Sequence, residues 1–170
     1  MRGLSAVTVL RKAWAARSNH TLRGLLRAPV CLYRWKCGWL LGHRFLLLIH
    51  VGRRTGLRHC TVLEVLEYRK ERSEAVVMSA FGPGANWLRN IEATPNPEVI
   101  IGSRRFIAAH RVLREEEAIG VMTAYEQRNW FIAPVIRRVL SYLLGWAYDG
   151  GMEQRRRLVA QLPFVAFRQR

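Results

Sequence analysis

The chain has 170 residues, of which 28 are Lys or Arg and 12 are Asp or Glu, so its formal net charge is +16. This length, with 50% hydrophobic residues, is enough for about one domain with a sizeable core. The three cysteines contain no C-x-x-C pair, which argues against a disulfide framework or a zinc site and favours a reducing, cytoplasmic location.

The positive charge is concentrated in the first third of the chain. No acidic residue precedes Glu64, whereas 12 of the Lys and Arg residues do. Such a field attracts phosphates, polycarboxylates, nucleic acid or an anionic membrane surface. Nucleic acid is the less favoured partner, because few aromatic residues alternate with the basic ones between Gly52 and Asn90.

Residues 1–41 are predicted to form a basic N-terminal helical extension. Val7, Leu10 and Trp14 have helical spacing. Arg11 and Lys12 interrupt the preceding apolar run, so neither a signal peptide nor a membrane-spanning helix is predicted. The extension either packs on the core as peripheral helices or lies on an anionic membrane surface, which would make the protein peripheral on the inner face of the membrane.

Residues 42–170 are predicted to form the main domain, an antiparallel β-barrel with inserted helices, of class α+β. Short apolar runs bounded by turn residues predict strands at 45–51, 59–68, 75–80, 98–101, 104–113 and 164–167. The charged stretch 69–74 predicts a solvated hairpin loop. Helices are predicted at 87–93 and 115–130, after Pro134, and after Gly150 and Gly151.

The first candidate site is the turn between the first two strands. Gly52 and Gly56 permit the positive φ values at which consecutive backbone N–H groups converge on an anion. Four side chains add hydrogen-bond donors: Arg53, Arg54, Thr55 and Arg58. The pattern predicts a clamp for a phosphate or carboxylate, with a solvent-facing basic hairpin turn as the alternative.

The second candidate site is the glycine-rich loop after the third strand, which contains Ser79, Gly82 and Gly84. It leads into a short helix, whose first N–H groups favour negative charge. No metal-binding or nucleophilic motif occurs, so neither a metal nor a catalytic side chain is predicted. That absence fits a redox enzyme, in which the cofactor carries the chemistry and the protein orients it.

Three motifs in order resemble the deazaflavin (F420)-dependent nitroreductase family, a branch of the flavin-binding split β-barrels. They are G-R-R-T-G from Gly52, the strand V-V-M-S with its glycine loop, and W-L-R-N-I-E-A-T-P from Trp87. The chain departs from the family pattern at three positions: His59 replaces an Arg, Leu88 replaces a Tyr, and Asn86 stands where a Pro often precedes the Trp. The resemblance implies a six- or seven-stranded antiparallel split β-barrel with N-terminal and C-terminal helices.

The resemblance also implies coenzyme F420, a deazaflavin with a phosphate and a glutamate tail, with FMN as the alternative. The reduced coenzyme would deliver hydride to a quinone, a nitro-compound or an activated alkene. The implied coenzyme-binding residues are Arg53, Arg54, Thr55, Gly56, Arg58, Ser79, Gly82, Gly84, Trp87 and Asn90. Tyr125 and Trp130 are implied substrate contacts. The alternatives are a non-catalytic coenzyme or haem carrier and a basic module that binds nucleic acid or a membrane.

Overall fold

Aliphatic and β-branched runs form six strands in residues 43–170, the part of the chain that the computed structural model describes. The predicted N-terminal extension lies outside these residues. The strands are β1 (Phe45–Val51), β2 (Arg58–Arg69), β3 (Glu74–Met78), β4 (Glu98–Ile101), β5 (Arg104–Val112) and β6 (Phe164–Gln169). They close into a barrel in the order β1-β2-β3-β6-β5-β4, and every pair is antiparallel. The predicted α+β antiparallel barrel is confirmed.

Strand β3 is covered on both faces, by the barrel interior and by the outer helices, which explains why its residues after Glu74 are all apolar. Ala75 and Val77 point into the barrel interior, where they pack with Leu46, Leu48 and Phe167. Val76, between them in sequence, belongs to a second apolar cluster outside the barrel. Since successive side chains of a strand point to opposite faces, a strand covered on both faces is apolar throughout.

Four helices follow from the later segments of the described chain: α1 (Asn86–Ala93), α2 (Glu115–Arg128), α3 (Ala133–Leu144) and α4 (Met152–Gln161). The first of them extends the interior core, because Trp87, Leu88 and Ile91 pack with the barrel residues. Helices α2, α3 and α4 pack outside the barrel, where Met122, Leu140 and Leu158 cover Val76. None of the helices in residues 43–170 is long and apolar enough to cross a membrane.

The charged stretch 69–74 was predicted to be a solvated loop, but the residues at its two ends form ion pairs. Glu74 is buried and receives hydrogen bonds from Arg69 at 2.8 Å and from Arg111 at 3.2 Å. Glu117, at the start of α2, also binds both arginines, each at 2.7 Å. The prediction is wrong for Arg69 and Glu74 because residues distant in sequence, on β5 and α2, supply partners for them. A buried charge is tolerated only when it is paired in this way.

Candidate functional site

An open cleft of about 540 Å³ lies where the β1–β2 turn approaches the start of α1. The size is typical of small-molecule sites. Its lining residues come from the end of β1, the turn, the start of β2, the glycine loop and α1: His50, Gly52, Arg53, Arg54, Thr55, His59, Cys60, Thr61, Phe81, Ala85, Asn86, Trp87 and Asn90. No acidic residue is among them within residues 43–170. The first candidate site therefore lies in this cleft together with Phe81 and Ala85 of the glycine loop, and the described lining carries basic but no acidic side chains.

The β1–β2 turn closes on itself by backbone hydrogen bonds. Gly56 N–H donates to the carbonyl of Gly52 at 2.8 Å, and Gly52 N–H donates to the carbonyl of Leu57 at 2.8 Å. Of the six N–H groups from Gly52 to Leu57, five have acceptors within the described residues, and only that of Arg54 has none. The expected convergence of consecutive N–H groups on an anion is therefore wrong, because four of these donors close the turn and that of Arg53 binds Asn90 on α1.

The two glycines of the turn are needed for different reasons. Gly56 has a φ of 66°, which side-chain-bearing residues adopt only with strain. Gly52 lies against neighbouring side chains, since a Cβ there would stand 2.7 Å from Thr55 Oγ1 and 2.8 Å from His59 Nε2. The Thr55 hydroxyl accepts from Leu57 N–H at 3.3 Å, so its oxygen supports the turn. The glycines shape the turn and leave anion binding to side chains.

Arg53 and Arg54 have different environments although they are adjacent. Arg53 Nη1 donates to Asn90 Oδ1 at 2.8 Å, and its guanidinium also contacts Asn86 Oδ1 at 3.4 Å. Arg53 thus ties the turn to α1. Arg54 is exposed, lines the cleft and has no hydrogen bond or ion pair with any residue of the described part. Of the two, Arg54 is the guanidinium free to bind an anion.

The N-terminus of α1 opens into the same cleft. The helix begins at Asn86 after Ala85, and no side chain from residues 43–170 caps it. Ala85, Asn86 and Trp87 all line the cleft. The first N–H groups of a helix have no partner within the helix, and the helix dipole adds a partial positive charge there. This predicted donor group is therefore present, and Arg53 contacts the first residue of the same helix, Asn86.

Asn90 connects α1 with the barrel. Its side chain is buried, with Oδ1 accepting from the backbone and side chain of Arg53 and Nδ2 lying 3.1 Å from His50 Nδ1. His50 Nε2 lies 3.2 Å from Thr61 Oγ1. Burial, with a smaller contribution from the nearby His59, lowers the pKa of His50 below its usual value. These contacts join α1 to the β1–β2 turn and to β1, and the contact of Asn90 with a coenzyme stays a prediction.

The predicted loop residues have structural contacts beside the cleft. Ser79 is fully buried, and its hydroxyl donates to the carbonyl of Gly82 at 2.8 Å. Gly82 has a φ of 68°, and Gly84 is exposed. None of the three lines the cleft, whereas Phe81 and Ala85 of the same loop do. Their contact with a coenzyme stays a prediction.

Three further predicted residues lie away from the cleft lining. Arg58 is exposed and forms an ion pair with Glu98 at 2.8 Å. Tyr125 is buried in the outer apolar cluster, where its hydroxyl donates to Glu64 at 2.9 Å. Burial, helped by the charge of Glu64, raises the pKa of Tyr125. Trp130 is 75% exposed after α2 and contacts Phe131 edge to face. Their ligand contacts also stay predictions.

Sequence reasoning missed several residues of the cleft, chiefly His50, Cys60, Thr61 and Phe81. A signal for His50 exists in the alternation of β1, where Leu46 and Leu48 face the interior and His50 continues the same face. Its register partner on β2 is His59, and Leu48 pairs with Thr61. Polar residues on an otherwise interior face mark the end of the barrel at which the core opens to a ligand.

A family model identifies the family of the chain. The F420H(2)-dependent quinone reductase family matches residues 27–129, which is more than half of the chain. The chain belongs to this family. It is therefore an F420H2-dependent reductase, an oxidoreductase whose coenzyme is F420 and whose second substrate is a small-molecule electron acceptor. No curated protein matches the chain.

Several solved structures are similar to this reductase. An F420-H2 dependent reductase (FDR-A) has 14% identity and a TM-score of 0.42, with 74% of this chain and 95% of that chain covered. ChuZ of Campylobacter jejuni has 13% identity and a TM-score of 0.48, with 96% and 60% covered. A pyridoxamine 5'-phosphate oxidase-related, FMN binding protein of Nostoc punctiforme has 15% identity and a TM-score of 0.46, with 89% and 82% covered.

The residues of the cleft fit F420 by their chemistry. An anionic coenzyme needs donors without internal partners, and the cleft has the Arg54 guanidinium and the uncapped start of α1. A deazaflavin ring needs apolar and aromatic surface, and Phe81 and Trp87 line the cleft. The absence of carboxylates among its described residues avoids repulsion of a phosphate or glutamate group.

Proposed function

We propose that this protein transfers a hydride from reduced F420 to a quinone, with nitro-compounds and activated alkenes as further acceptors. The family match over residues 27–129 carries this proposal. It is supported by Arg54, which lines the same cleft as the start of α1 and has no partner among residues 43–170. An arginine without a carboxylate partner retains its full capacity for charge-assisted hydrogen bonds to an added anion.

The proposal divides the cleft between two parts of the coenzyme. Arg54, with Thr55 and the first N–H groups of α1, would hold the phosphate and glutamate tail. Phe81 and Trp87 would contact the ring, which supplies the hydride when the coenzyme is bound. The protein's own residues bind and orient the coenzyme and reduce access of water. No side chain is assigned as a proton donor, and solvent can protonate the reduced acceptor.

Turnover with a panel of acceptors tests this function. Reduced F420 is mixed with the protein and a water-soluble quinone, a nitroaromatic compound or an activated alkene, and formation of the oxidised deazaflavin is followed. We expect oxidation with the quinone, and none in the absence of protein or acceptor. Tight coenzyme binding without oxidation by any acceptor would support the carrier alternative, against which the family membership argues.

Coenzyme choice is tested separately by equilibrium titration. We expect the protein to prefer F420 to FMN and to nicotinamide dinucleotides. Tight FMN binding without F420 binding would contradict the proposal.

The N-terminal segment supports a second, independent proposal about location. We infer from its excess of basic residues that residues 1–30 associate with an anionic surface on the cytoplasmic side of a membrane and are dispensable for the barrel. Sedimentation with anionic and neutral liposomes, for the full chain and for the chain without residues 1–30, measures this. Equal pelleting of both forms would reject the membrane role, and it would leave the reductase proposal unaffected.

A further inference from the structure

Four side chains form one continuous chain of hydrogen bonds from the turn to the wall of the cleft. Arg53 Nη1 lies 2.8 Å from Asn90 Oδ1, and Arg53 N lies 3.2 Å from the same oxygen. Asn90 Nδ2 lies 3.1 Å from His50 Nδ1. His50 Nε2 lies 3.2 Å from Thr61 Oγ1. These hydrogen bonds join residues up to 40 positions apart in the sequence, on β1, the β1–β2 turn, β2 and α1.

The donor and acceptor at each link follow from Arg53. A guanidinium has donors only, so the atom of the Asn90 amide that faces it must be the oxygen. The amide nitrogen of Asn90 therefore faces His50, and an NH2 group can only donate. His50 Nδ1 must accept that bond and carries no hydrogen. A neutral imidazole then holds its hydrogen on Nε2, which donates to the oxygen of Thr61.

This direction of the hydrogen bonds determines where the Thr61 hydroxyl can donate. Its oxygen accepts from His50, so its own hydrogen points elsewhere. Thr61 is half-buried and lines the cleft. No other hydrogen bond links this hydroxyl to a residue in the described range 43–170. The hydrogen of this hydroxyl is therefore available to the open cleft, where an oxygen of a ligand can replace water as its acceptor.

We propose that Thr61 donates a hydrogen bond to an oxygen of the bound coenzyme, and that Arg53, Asn90 and His50 are positioning residues that fix the direction of that bond. The acceptor is an oxygen atom of the coenzyme. It is either a carbonyl oxygen of the deazaflavin ring or an oxygen of the phosphate and glutamate tail. The inference rests on the proposed function for the identity of the ligand, but not for the direction of the hydrogen-bond chain.

Binding titrations with three variants test the donor. Thr61→Val keeps the shape of the side chain and removes the hydroxyl, and Thr61→Ser keeps the hydroxyl. Thr123→Val is the matched control, because the Thr123 hydroxyl bonds to the carbonyl of Ile119 on α2, outside the cleft. We expect Thr61→Val to weaken F420 binding about three- to tenfold, the range for one neutral hydrogen bond. Thr61→Ser and Thr123→Val should bind within about twofold of the unmodified protein.

The deazaflavin without its phosphate and glutamate tail separates the two acceptor sources. If Thr61→Val weakens both ligands equally, the acceptor lies on the ring. If it weakens only the whole coenzyme, the acceptor lies on the tail. Either result supports the donor. Unchanged binding of both ligands by Thr61→Val would overturn it while leaving the reductase function intact. A wild-type protein that binds neither ligand would overturn the function and this inference together.

The positioning role has a readout that needs no ligand. The 15N chemical shifts of His50 distinguish the two neutral tautomers, and we expect the Nε2–H form in the free protein. Asn90→Ala removes the donor to Nδ1, so we expect a mixture of tautomers and a loss of F420 affinity comparable to that of Thr61→Val. A free protein in which His50 is the Nδ1–H tautomer would contradict the inferred direction and would overturn the proposal.

Discussion

The arginines of the β1–β2 turn and those at the C-terminal end of β2 have different electrostatic environments. At the C-terminal end of β2, Arg69 binds Glu74 and Glu67 at 2.8 Å and Glu117 at 2.7 Å, and Arg111 binds Glu74 and Glu117. In the turn, Arg53 has only amide oxygens as partners, and Arg54 has none in the described residues. Both regions use arginines, and they differ in whether carboxylates lie nearby. With carboxylates, the arginines form an ion-pair cluster that holds β2, β3, β5 and α2 together. Without carboxylates, they line a cleft that attracts an anion.

The ion-pair cluster should dominate stability. Glu74 is the most buried carboxylate of the cluster, so Glu74→Gln leaves Arg69 and Arg111 with weaker partners. We expect the free energy of unfolding to fall by about 1.5 kcal/mol, the low end for hydrogen bonds to charged groups, because both arginines are partly exposed and keep Glu117 as a partner. Urea unfolding measures it, with the exposed Glu71 of the same hairpin as control, for which Glu71→Gln should change stability by less than about 0.5 kcal/mol. Affinity for F420 should not change, and a large loss of affinity would show that the two regions are not independent.

The free arginine should dominate binding. Arg54→Ala should weaken F420 binding by about 1.5–3 kcal/mol, the range for hydrogen bonds to charged groups, without changing stability. Arg54→Glu should be worse because it adds repulsion, and Arg54→Lys should restore only part because it lacks the two-point fork. Saturating coenzyme should restore most of kcat, because the tail lies far from the reacting ring. A loss of kcat at saturation would instead indicate a role at the reacting centre.

Arg53 lies between these two cases. Arg53→Ala removes the contacts with Asn90 and Asn86, so it should reduce both stability, by about 1–2 kcal/mol, and F420 affinity. Parallel unfolding and titration experiments compare it with Arg54→Ala. If Arg53→Ala changes affinity alone, the link between the turn and α1 contributes nothing to folding, and the distinction between the two arginines fails.

The two regions should also respond to different pH ranges, with a smaller effect. Burial, and to a smaller extent His59, lowers the pKa of His50 in the folded protein. The neutral imidazole therefore makes its full contribution to stability above pH 6.5, the usual pKa of histidine. This contribution is lost as the pH falls through the lower pKa of the folded state. Hydrogen bonds from Arg111 and Arg69 lower the pKa of Glu117 to about 2. The ionised carboxylate therefore makes its full contribution to stability above pH 4.5, and this contribution is lost as the pH falls from 4.5 to about 2. His50→Gln should remove the first change only, and Glu117→Gln the second only, in unfolding free energies measured against pH. A single transition that neither variant alters would contradict this separation.

Local pattern predicted most of the barrel. Each of the six strands coincides with an apolar run bounded by turn residues, and 45–51 and 98–101 agree to the residue. Helix α1 was predicted from Trp87 and begins one residue earlier, at Asn86. These features depend on the immediate neighbours of each residue, which are visible in the sequence.

The partner of each charge could not be predicted in this way. Arg53 and Arg54 are equivalent in a motif, and only the approach of Asn90, 37 residues away, distinguishes them. Glu74 belongs to a charged run typical of an exposed loop, and its burial depends on Arg111 from β5. The direction of the His50–Thr61 bond depends on two such contacts, from Arg53 to Asn90 and from Asn90 to His50. These features depend on contacts between residues that are distant in sequence, and no local sequence pattern predicts such contacts.

Recognition of the coenzyme's tail by Arg54 is tested most directly by comparing two ligands on two proteins. The whole coenzyme and the deazaflavin without its phosphate and glutamate tail are titrated into the wild type and into Arg54→Ala. The wild type should prefer the whole coenzyme by at least about tenfold, and the variant should lose most of that preference while binding the tail-free ligand as the wild type does. If Arg54→Ala keeps the full preference, the tail binds elsewhere and the assignment of the cleft is wrong.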